Sequence, residues 1–295
     1  MLLVVVSVLF TQVASDSLAE RIKTRVAQEA GAEVGVAYVD LSGNDTLFLS
    51  ADASFHAAST MKVPVMIELF QQASTGAFAM DQKILVVNQF SSIVDGSSYA
   101  LDVGSDSDSS LYARVGTRVR VDTLLRLMIT RSSNLATNTL IELVGGAAVT
   151  RRMRALGAGR IEVRRGVEDQ KAFDRGLNNT TTARDLATIL RAIEEGRAGT
   201  PDATRQMREI LLGQEFNEKI PAGVPPNVRV AHKTGEITAH SHDAAIVYPP
   251  GIKPYVLVVL TRGIPDGAKA SRLIADISRL VYDHHSALHH SLTLQ

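Results

Sequence analysis

The spacing of apolar residues changes twice along the chain and divides it into three stretches. Near the N terminus, β-branched and aromatic residues predict strands over 33–40 and 46–50, joined by the turn Ser42-Gly43-Asn44. Near the C terminus, similar runs predict strands over 228–233, 244–248 and 255–261. The strands therefore lie towards the two ends of the sequence.

The middle stretch has helical spacing instead. Helices are predicted over 18–30, from Ser59 to about 76, over 121–130, up to Val144, and over 149–156, 182–196, 200–213 and 271–284. No repeat or linker interrupts them. Strands from both ends, with helices between them, predict an α/β sandwich in which one sheet carries an inserted helical lobe spanning roughly 60–212.

Ser59 and Lys62 stand three residues apart at the start of one predicted helix, on the same face. The helix continues as a nearly unbroken apolar run, so we expect it to be buried. Burial lowers the pKa of a lysine towards that of a usable base, and a hydroxyl beside such an amine is an activated nucleophile. Pro64 predicts some irregularity in the first turn.

Two segments lack a clean period. Residues 91–110 are rich in serine and aspartate and predict a long surface loop that could lie over a cleft. Asp106 and Asp108 are spaced as in some calcium loops, but the glycine such a loop needs is absent, so a solvated loop is favoured over a calcium site. Residues 164–179 also read as a loop.

Composition narrows the choice of function. The 295 residues carry a formal net charge of zero, so nothing favours nucleic acid or an anionic membrane as partner. Residues 1–15 resemble a secretory signal peptide, with a short apolar core followed by Val13-Ala14-Ser15. We therefore expect a secreted or periplasmic bacterial protein with no stable membrane anchor. Because the chain has no cysteine, its stability depends on its core alone.

Three short motifs occur in a set order: Ser59-Thr60-Met61-Lys62, Ser132-Ser133-Asn134 and Lys233-Thr234-Gly235. The first opens a helix, the second lies between helices, and the third ends a strand run. This set is typical of serine enzymes that recognise penicillin. The chain resembles the class A β-lactamases over about residues 18–284, and the resemblance implies a five-stranded antiparallel sheet with helices on its faces, a helical lobe, and an active site in the cleft between them.

The resemblance implies an acyl-transfer site. Ser59 would attack the amide carbonyl, and Lys62, or a water held by a carboxylate, would take its proton. Ser132 would pass a proton to the leaving nitrogen, with its hydroxyl in the positive field of Lys233.

The same resemblance implies the substrate contacts. Asn134 would bind the side-chain amide of the substrate, and Thr234 its carboxylate. Gly235 completes the third motif, and the backbone N–H groups of Ser59 and Glu236 would form the oxyanion hole.

The chain departs from the family's pattern at several positions. Ser133 replaces an aspartate in the second motif, which puts its rigidity in doubt. Glu168 is the best match to the deacylating glutamate, although Asp169 and Ala172 replace the proline and asparagine that usually follow. Asp174 is the rival, but it lies too close to the Thr180 segment to leave a loop.

Glu236 is an unfavourable neighbour for an anionic substrate, so it either points away or signals a different natural substrate. His242 could weakly help to hold a substrate carboxylate, whereas His242 and Asp243 are adjacent on a strand and cannot both serve one relay. The C-terminal histidines are better explained as chance residues than as a metal site. No metal or cofactor is expected.

Three hypotheses follow for residues 16–295, taken as one catalytic domain after the signal. The first is a serine hydrolase that opens β-lactam amides, expected to be a monomer. The second is a related enzyme of the penicillin-binding type, acting on cell-wall D-Ala peptides or another amide or ester. The third is a non-catalytic binder with the same fold, which the intact Ser59, Lys62, Ser132 and Lys233 argue against.

Overall fold

A computed structural model describes residues 17–43 and 45–292. Residues 1–15, predicted to be a signal peptide, and the predicted turn residue Asn44 lie outside this range. Its strands are β1 (Glu33–Asp40), β2 (Thr46–Leu49), β3 (Phe55–His56), β4 (Lys83–Leu85), β5 (Phe90–Ser91), β6 (Ser98–Tyr99), β7 (Arg118–Arg120), β8 (Thr180–Thr181), β9 (Arg229–Ile237), β10 (His240–Tyr248) and β11 (Tyr255–Arg262).

Most of the helices of the described chain lie between the N-terminal and the C-terminal strands of the main sheet. They are α1 (Leu18–Val26), α2 (Lys62–Ser74), α3 (Val121–Thr130), α4 (Asn134–Val144), α5 (Gly146–Ala155), α6 (Gln170–Asp174), α7 (Ala183–Glu194), α8 (Pro201–Leu212) and α9 (Gly267–Leu292). Short 3₁₀ turns cover Ala58–Met61, Ser109–Arg114 and Pro221–Gly223.

Five strands form one antiparallel sheet in the order β2-β1-β11-β10-β9. The pairing of β1 with β11, with Val36 opposite Val259, joins the N-terminal and C-terminal strands at the centre. This confirms the predicted sandwich with a sheet built from both ends of the chain. Strand β9 is at one edge, so every second residue of β9 points its backbone polar groups away from β10.

Both faces of the sheet are covered, which explains why β11 reads as an unbroken apolar run rather than an alternating one. Helices α1 and α9 cover one face, where Ile22 and Ile277 pack with Tyr38 of β1. Helix α7 and the helical lobe cover the other face, where Leu186 packs with Val258. The two layers of side chains therefore form separate cores on either side of one sheet.

Helix α2 is the centre of the lobe. All of its residues from Lys62 to Phe70 are buried, including a lysine and a glutamate. The 3₁₀ turn Ala58–Met61 precedes it, so Ser59 lies in that turn rather than at the start of the helix. The proline at position 64 is in the first turn of α2, where a missing N–H costs least.

Several predicted boundaries were wrong. Helix α1 ends at Val26 rather than at 30, and α9 runs on to Leu292 rather than ending at 284. Strand β9 continues through Lys233-Thr234-Gly235 to Ile237, beyond its predicted end, because β10 pairs with it along its length. The predicted loop 164–179 contains the short helix α6. Among the described residues, no helix is long and apolar enough to cross a membrane.

A substitution at Gly223 tests how tightly α9 packs against the 3₁₀ turn Pro221–Gly223. A Cβ on Gly223 would lie 2.5 Å from the Cβ of Ser278 and would also collide with the carbonyl oxygen of Ala275. We expect Gly223→Ala to lower the free energy of unfolding by about 1–3 kcal/mol, as overpacking does. Urea denaturation measures this change. Gly159→Ala is the control, because a Cβ there meets nothing within 4 Å; equal effects in both variants would contradict the packing.

Candidate active site

Ser59 lies at the bottom of a cleft of about 1080 Å³ between the sheet edge and the lobe. Ala58, just before it, has a positive φ of 44°, a conformation that is strained for a residue with a Cβ. The N–H of Ala58 donates to Nδ1 of His56 at 3.0 Å, which helps to hold this turn. Strained backbone of this kind is common where a side chain must be presented to a substrate.

The amine of Lys62 is completely buried beside this turn. It donates to the carbonyl oxygen of Ser132 at 2.6 Å, to Oγ of Ser132 at 3.0 Å and to Oδ1 of Asn134 at 3.1 Å. Burial lowers the pKa of Lys62 to about 7, against the opposing effect of the negative charges of Asp106 and Glu168. An amine with such a pKa can accept a proton at neutral pH.

Lys233 reaches the same hydroxyl from strand β9. Its amine donates to Oγ of Ser132 at 3.1 Å and to the carbonyl oxygen of Thr234 at 2.9 Å. Burial, followed by the nearby charges of Lys62 and Lys219, holds the pKa of Lys233 well below its usual value. Ser132 itself has a positive φ of 57°, so its hydroxyl is held between the two amines by a strained turn.

Gly235 lies against the nucleophile turn. A Cβ at this position would be 2.9 Å from the backbone nitrogen of Ser59 and 3.0 Å from that of Thr60. Only a residue without a side chain therefore allows β9 to approach Ser59 so closely. Glu236 follows directly on the same edge strand and lines the cleft, and an oxyanion hole formed by its N–H and that of Ser59 stays a prediction.

Glu168 lines the cleft on the opposite side from β9. Its Oε1 accepts from Nδ2 of Asn134 and its Oε2 from the N–H of Asp102, both at 3.1 Å. Asp174, the rival candidate, is exposed at the end of α6, accepts from Gln170 and is not among the residues lining the cleft. Ala172 is buried, so it presents no polar group there.

The loop 91–110 lies at the surface, as its composition predicts, with most of its residues exposed, but Asp106 within it is tied to the start of α4. The carboxylate of Asp106 accepts from the backbone N–H groups of Asn134 and Leu135 at 2.9 Å, and from the hydroxyl of Tyr112 at 3.0 Å. Asp106 therefore holds the start of α4, where a negative charge also favours the helix dipole. Ser133 caps the same helix through Ala136. The rigidity that the missing second-motif aspartate put in doubt thus comes from a different segment.

The loop also packs against residues 164–179. Asp169 accepts from the hydroxyl of Ser92 at 2.8 Å and from the N–H of Ile93 at 2.9 Å. Ser105 and Ser107 line the cleft beside Glu168. The two segments therefore form one wall of the cleft together.

Lys219 is a cleft residue that the sequence reasoning missed. Its side chain is buried, and its amine lies 2.8 Å from Oε1 of Glu236, which is exposed. His242 was the wrong candidate for a carboxylate contact: it is buried, bonds to the carbonyl oxygen of His56 at 2.9 Å, and burial lowers its pKa to about 3. No local sequence pattern marks Lys219, which comes from the loop between α8 and β9.

The adjacent Asp243 bonds to Nδ1 of His232 at 3.0 Å and to the N–H of Ile220 at 3.0 Å. It therefore fixes the loop that carries Lys219 and does not serve Ser59. The C-terminal His285 and His289 lie with Asp40 close enough to share an ion. However, both ring nitrogens of His285 already bond to Tyr38 and to the carbonyl oxygen of Lys253.

Known proteins resemble this chain in both sequence and structure. Residues 17–285 match the sequence profile of the Beta-lactamase enzyme family. The chain is 27% identical to a β-lactamase of Streptomyces albus G, over 90% of this chain and 84% of that protein. It is 30% identical to β-lactamase AST-1 of Nocardia asteroides, over 86% of this chain and 79% of that protein.

Solved structures give the same picture. The acyl-enzyme complex of a PBP-A mutant with penicillin G superposes with a TM-score of 0.80 at 25% identity, covering 92% of this chain and 96% of that chain. An ancestral class A β-lactamase superposes with a TM-score of 0.79 at 26% identity, covering 91% and 100% of the two chains. Similarity therefore extends over nearly the whole described chain.

The position of Asp106 predicts two effects on the site. Its carboxylate holds the backbone of Asn134 in place, and its negative charge raises the pKa of Lys62. We expect Asp106→Asn to slow acylation by a β-lactam about ten- to hundredfold, because small misplacements at a reacting centre have effects of that size. Loss of the charge should also move the pH at which acylation rises to a lower value. Rapid-mixing kinetics between pH 5 and 9 measure both effects.

Asp95→Asn is the matched control, since Asp95 lies in the same loop but its contacts, with Lys171 and Ser97, are exposed and lie outside the cleft lining. It should acylate at the wild-type rate. An Asp106→Asn variant with the wild-type rate and pH dependence would show that this carboxylate does not position the site.

Proposed function

The chain belongs to the β-lactamase enzyme family, and we propose that it opens β-lactam amides as a serine hydrolase, through an acyl-enzyme on Ser59. One observation carries the assignment of roles. The hydroxyl of Ser132 lies 3.0 Å from the amine of Lys62 and 3.1 Å from that of Lys233, in the cleft that Ser59 lines. The hydroxyl of Ser132 can therefore pass a proton from a lysine amine to the leaving nitrogen of the amide.

Acylation begins when Oγ of Ser59 attacks the carbonyl carbon of the lactam. The neutral amine of Lys62 takes the proton of Ser59, because its pKa of about 7 leaves much of it unprotonated at neutral pH. The hydroxyl of Ser132 gives its proton to the leaving nitrogen and is reprotonated by the lysines beside it. The N–H groups of Ser59 and Glu236 stabilise the oxyanion that forms.

The substrate is oriented by groups on both walls of the cleft. Asn134 binds its side-chain amide, and Thr234 and Lys233 bind its carboxylate. Gly235 keeps β9 close enough to the nucleophile for both contacts to be made with one bound molecule.

Glu168 acts as the general base in deacylation. Its carboxylate accepts a proton from the water that attacks the ester on Ser59. Asn134 and the N–H of Asp102 hold this carboxylate in the cleft. The buried methyl group of Ala172 provides no second contact for that water, so we expect measurable but slow turnover.

The finer assignments extend this proposal. A class A mechanism is supported by the ancestral class A neighbour and by a loop carboxylate in the cleft. Export to the periplasm or exterior is supported by the composition of residues 1–15 alone. We further propose that the protein acts as a monomer without a membrane anchor.

The penicillin-binding alternative is not favoured, since the curated relatives named above are β-lactamases. An enzyme of the penicillin-binding type would differ from a β-lactamase in this experiment only in the fate of the acyl-enzyme. The same experiment therefore separates the two functions.

Intact-protein mass spectrometry with benzylpenicillin, followed over time, tests the proposal. The wild type should form an adduct and release it as hydrolysed product, and Ser59→Ala should form none. Glu168→Gln should keep the adduct, with release slowed about 10²–10⁴-fold, the usual contribution of a general base. Asp174→Asn is the control for the loop and should behave as the wild type.

An adduct on Ser59→Ala would refute the nucleophile. A stalled adduct on Asp174→Asn, with normal release from Glu168→Gln, would show that the roles of these two carboxylates are reversed. A wild type that never releases its adduct would favour the penicillin-binding function.

A further inference from the structure

An ion pair between Lys219 and Glu236 lies across one end of the cleft. The amine of Lys219 and Oε1 of Glu236 are 2.8 Å apart, and both residues line the cavity. The side chain of Lys219 is 3% exposed, whereas that of Glu236 is 63% exposed. The lysine is therefore a fixed part of the wall, and the glutamate is the partner that is free to move.

Buried hydrogen bonds hold Lys219 and its neighbour Ile220 in place. The next residue, Ile220, donates its N–H to the carboxylate of Asp243, which is itself buried and bonded to His232. The amine of Lys219 also approaches the carbonyl oxygen of His242 at 3.4 Å. A buried lysine needs an anionic partner to offset its desolvation, and the exposed carboxylate of Glu236 supplies one from the side of the cleft.

The pair lies where the substrate carboxylate is to bind. Glu236 comes two residues after Thr234 on β9, and both charges of the pair act on Lys233 electrostatically. A substrate carboxylate at Thr234 would be attracted by the two lysines and repelled by Glu236. Two carboxylates that share the amine of Lys219 would repel each other, and this amine already bonds to Glu236 and to the carbonyl oxygen of His242, so a substrate carboxylate that binds Lys219 favours displacement of Glu236.

We propose that Glu236 determines specificity by competing with the substrate carboxylate for Lys219. The proposal rests on the proposed function, since it concerns the same acylation. In the free enzyme Glu236 occupies the amine, and an anionic β-lactam must break this ion pair to bind. A β-lactam whose carboxylate is esterified has no need of Lys219 and is not repelled. Glu236 therefore weakens the binding of the anionic form and leaves the binding of a neutral group at that position unaffected.

The test compares two substrates that differ only in this charge, benzylpenicillin and its methyl ester. Acylation is followed by intact-protein mass spectrometry over a range of substrate concentrations, which separates binding from the chemical step. Glu236→Gln should bind benzylpenicillin about tenfold more tightly, the order of effect expected when a like charge is removed from a contact. The binding of the methyl ester should change by less than about twofold.

Glu218→Gln is the matched control. Glu218 is another exposed carboxylate at the rim of the cleft, one residue before Lys219, and its removal changes the net charge by the same amount. Glu218→Gln should change the binding of neither substrate by more than about twofold, since an exposed charge without a specific contact contributes little.

Equal effects of Glu236→Gln on the acid and the ester, or equal effects of the two glutamine variants on benzylpenicillin, would overturn the proposal. If the wild type forms no adduct with either compound, the proposed function is wrong, and the proposed role of Glu236 fails with it. The two failures are thus distinguishable.

Discussion

Two buried lysine amines meet at one serine hydroxyl, and the rest of the site depends on this contact. Lys62 and Lys233 both donate to Oγ of Ser132, at 3.0 and 3.1 Å. Two full positive charges that close together in a buried site would repel each other strongly. Burial and mutual repulsion therefore favour a neutral amine at neutral pH, and a neutral amine beside a hydroxyl is what acyl transfer requires.

The fold supplies the rigidity that keeps this costly arrangement intact. Lys62 is on the buried central helix of the lobe, and Lys233 is on the edge strand of a sheet covered on both faces. Ser132 lies between them in a strained turn, which Asp106 holds through the N–H of Asn134. Such strain persists only where the surrounding contacts fix it. The same separation between sheet and lobe creates the cleft for the substrate.

The five strands of the main sheet, the longer helices and the residues of the three motifs could be predicted because each depends on local pattern, whereas the short strands β3 to β8 and helix α6 could not. Periodicity marks the strands of the sheet, and the short spacing of Ser59 and Lys62 places both on one turn. Asp106 could not be found in this way, because it acts on residues 28 positions later. Lys219 was missed for a similar reason, since its contact with Glu236 exists only after β9 has packed beside its loop. His242 looked suitable by sequence, yet its strand directs it into the protein.

A direct titration of Lys62 tests the central claim, that burial leaves this amine neutral near physiological pH. Lysine labelled with ¹³C at Cε reports the protonation of each amine by NMR, and the Lys62→Arg variant identifies the resonance. One signal should titrate with a pKa of about 7 and disappear in that variant. If the Lys62 signal titrates near 10.5, the ordinary value of a lysine, the amine is charged at neutral pH and cannot be the base.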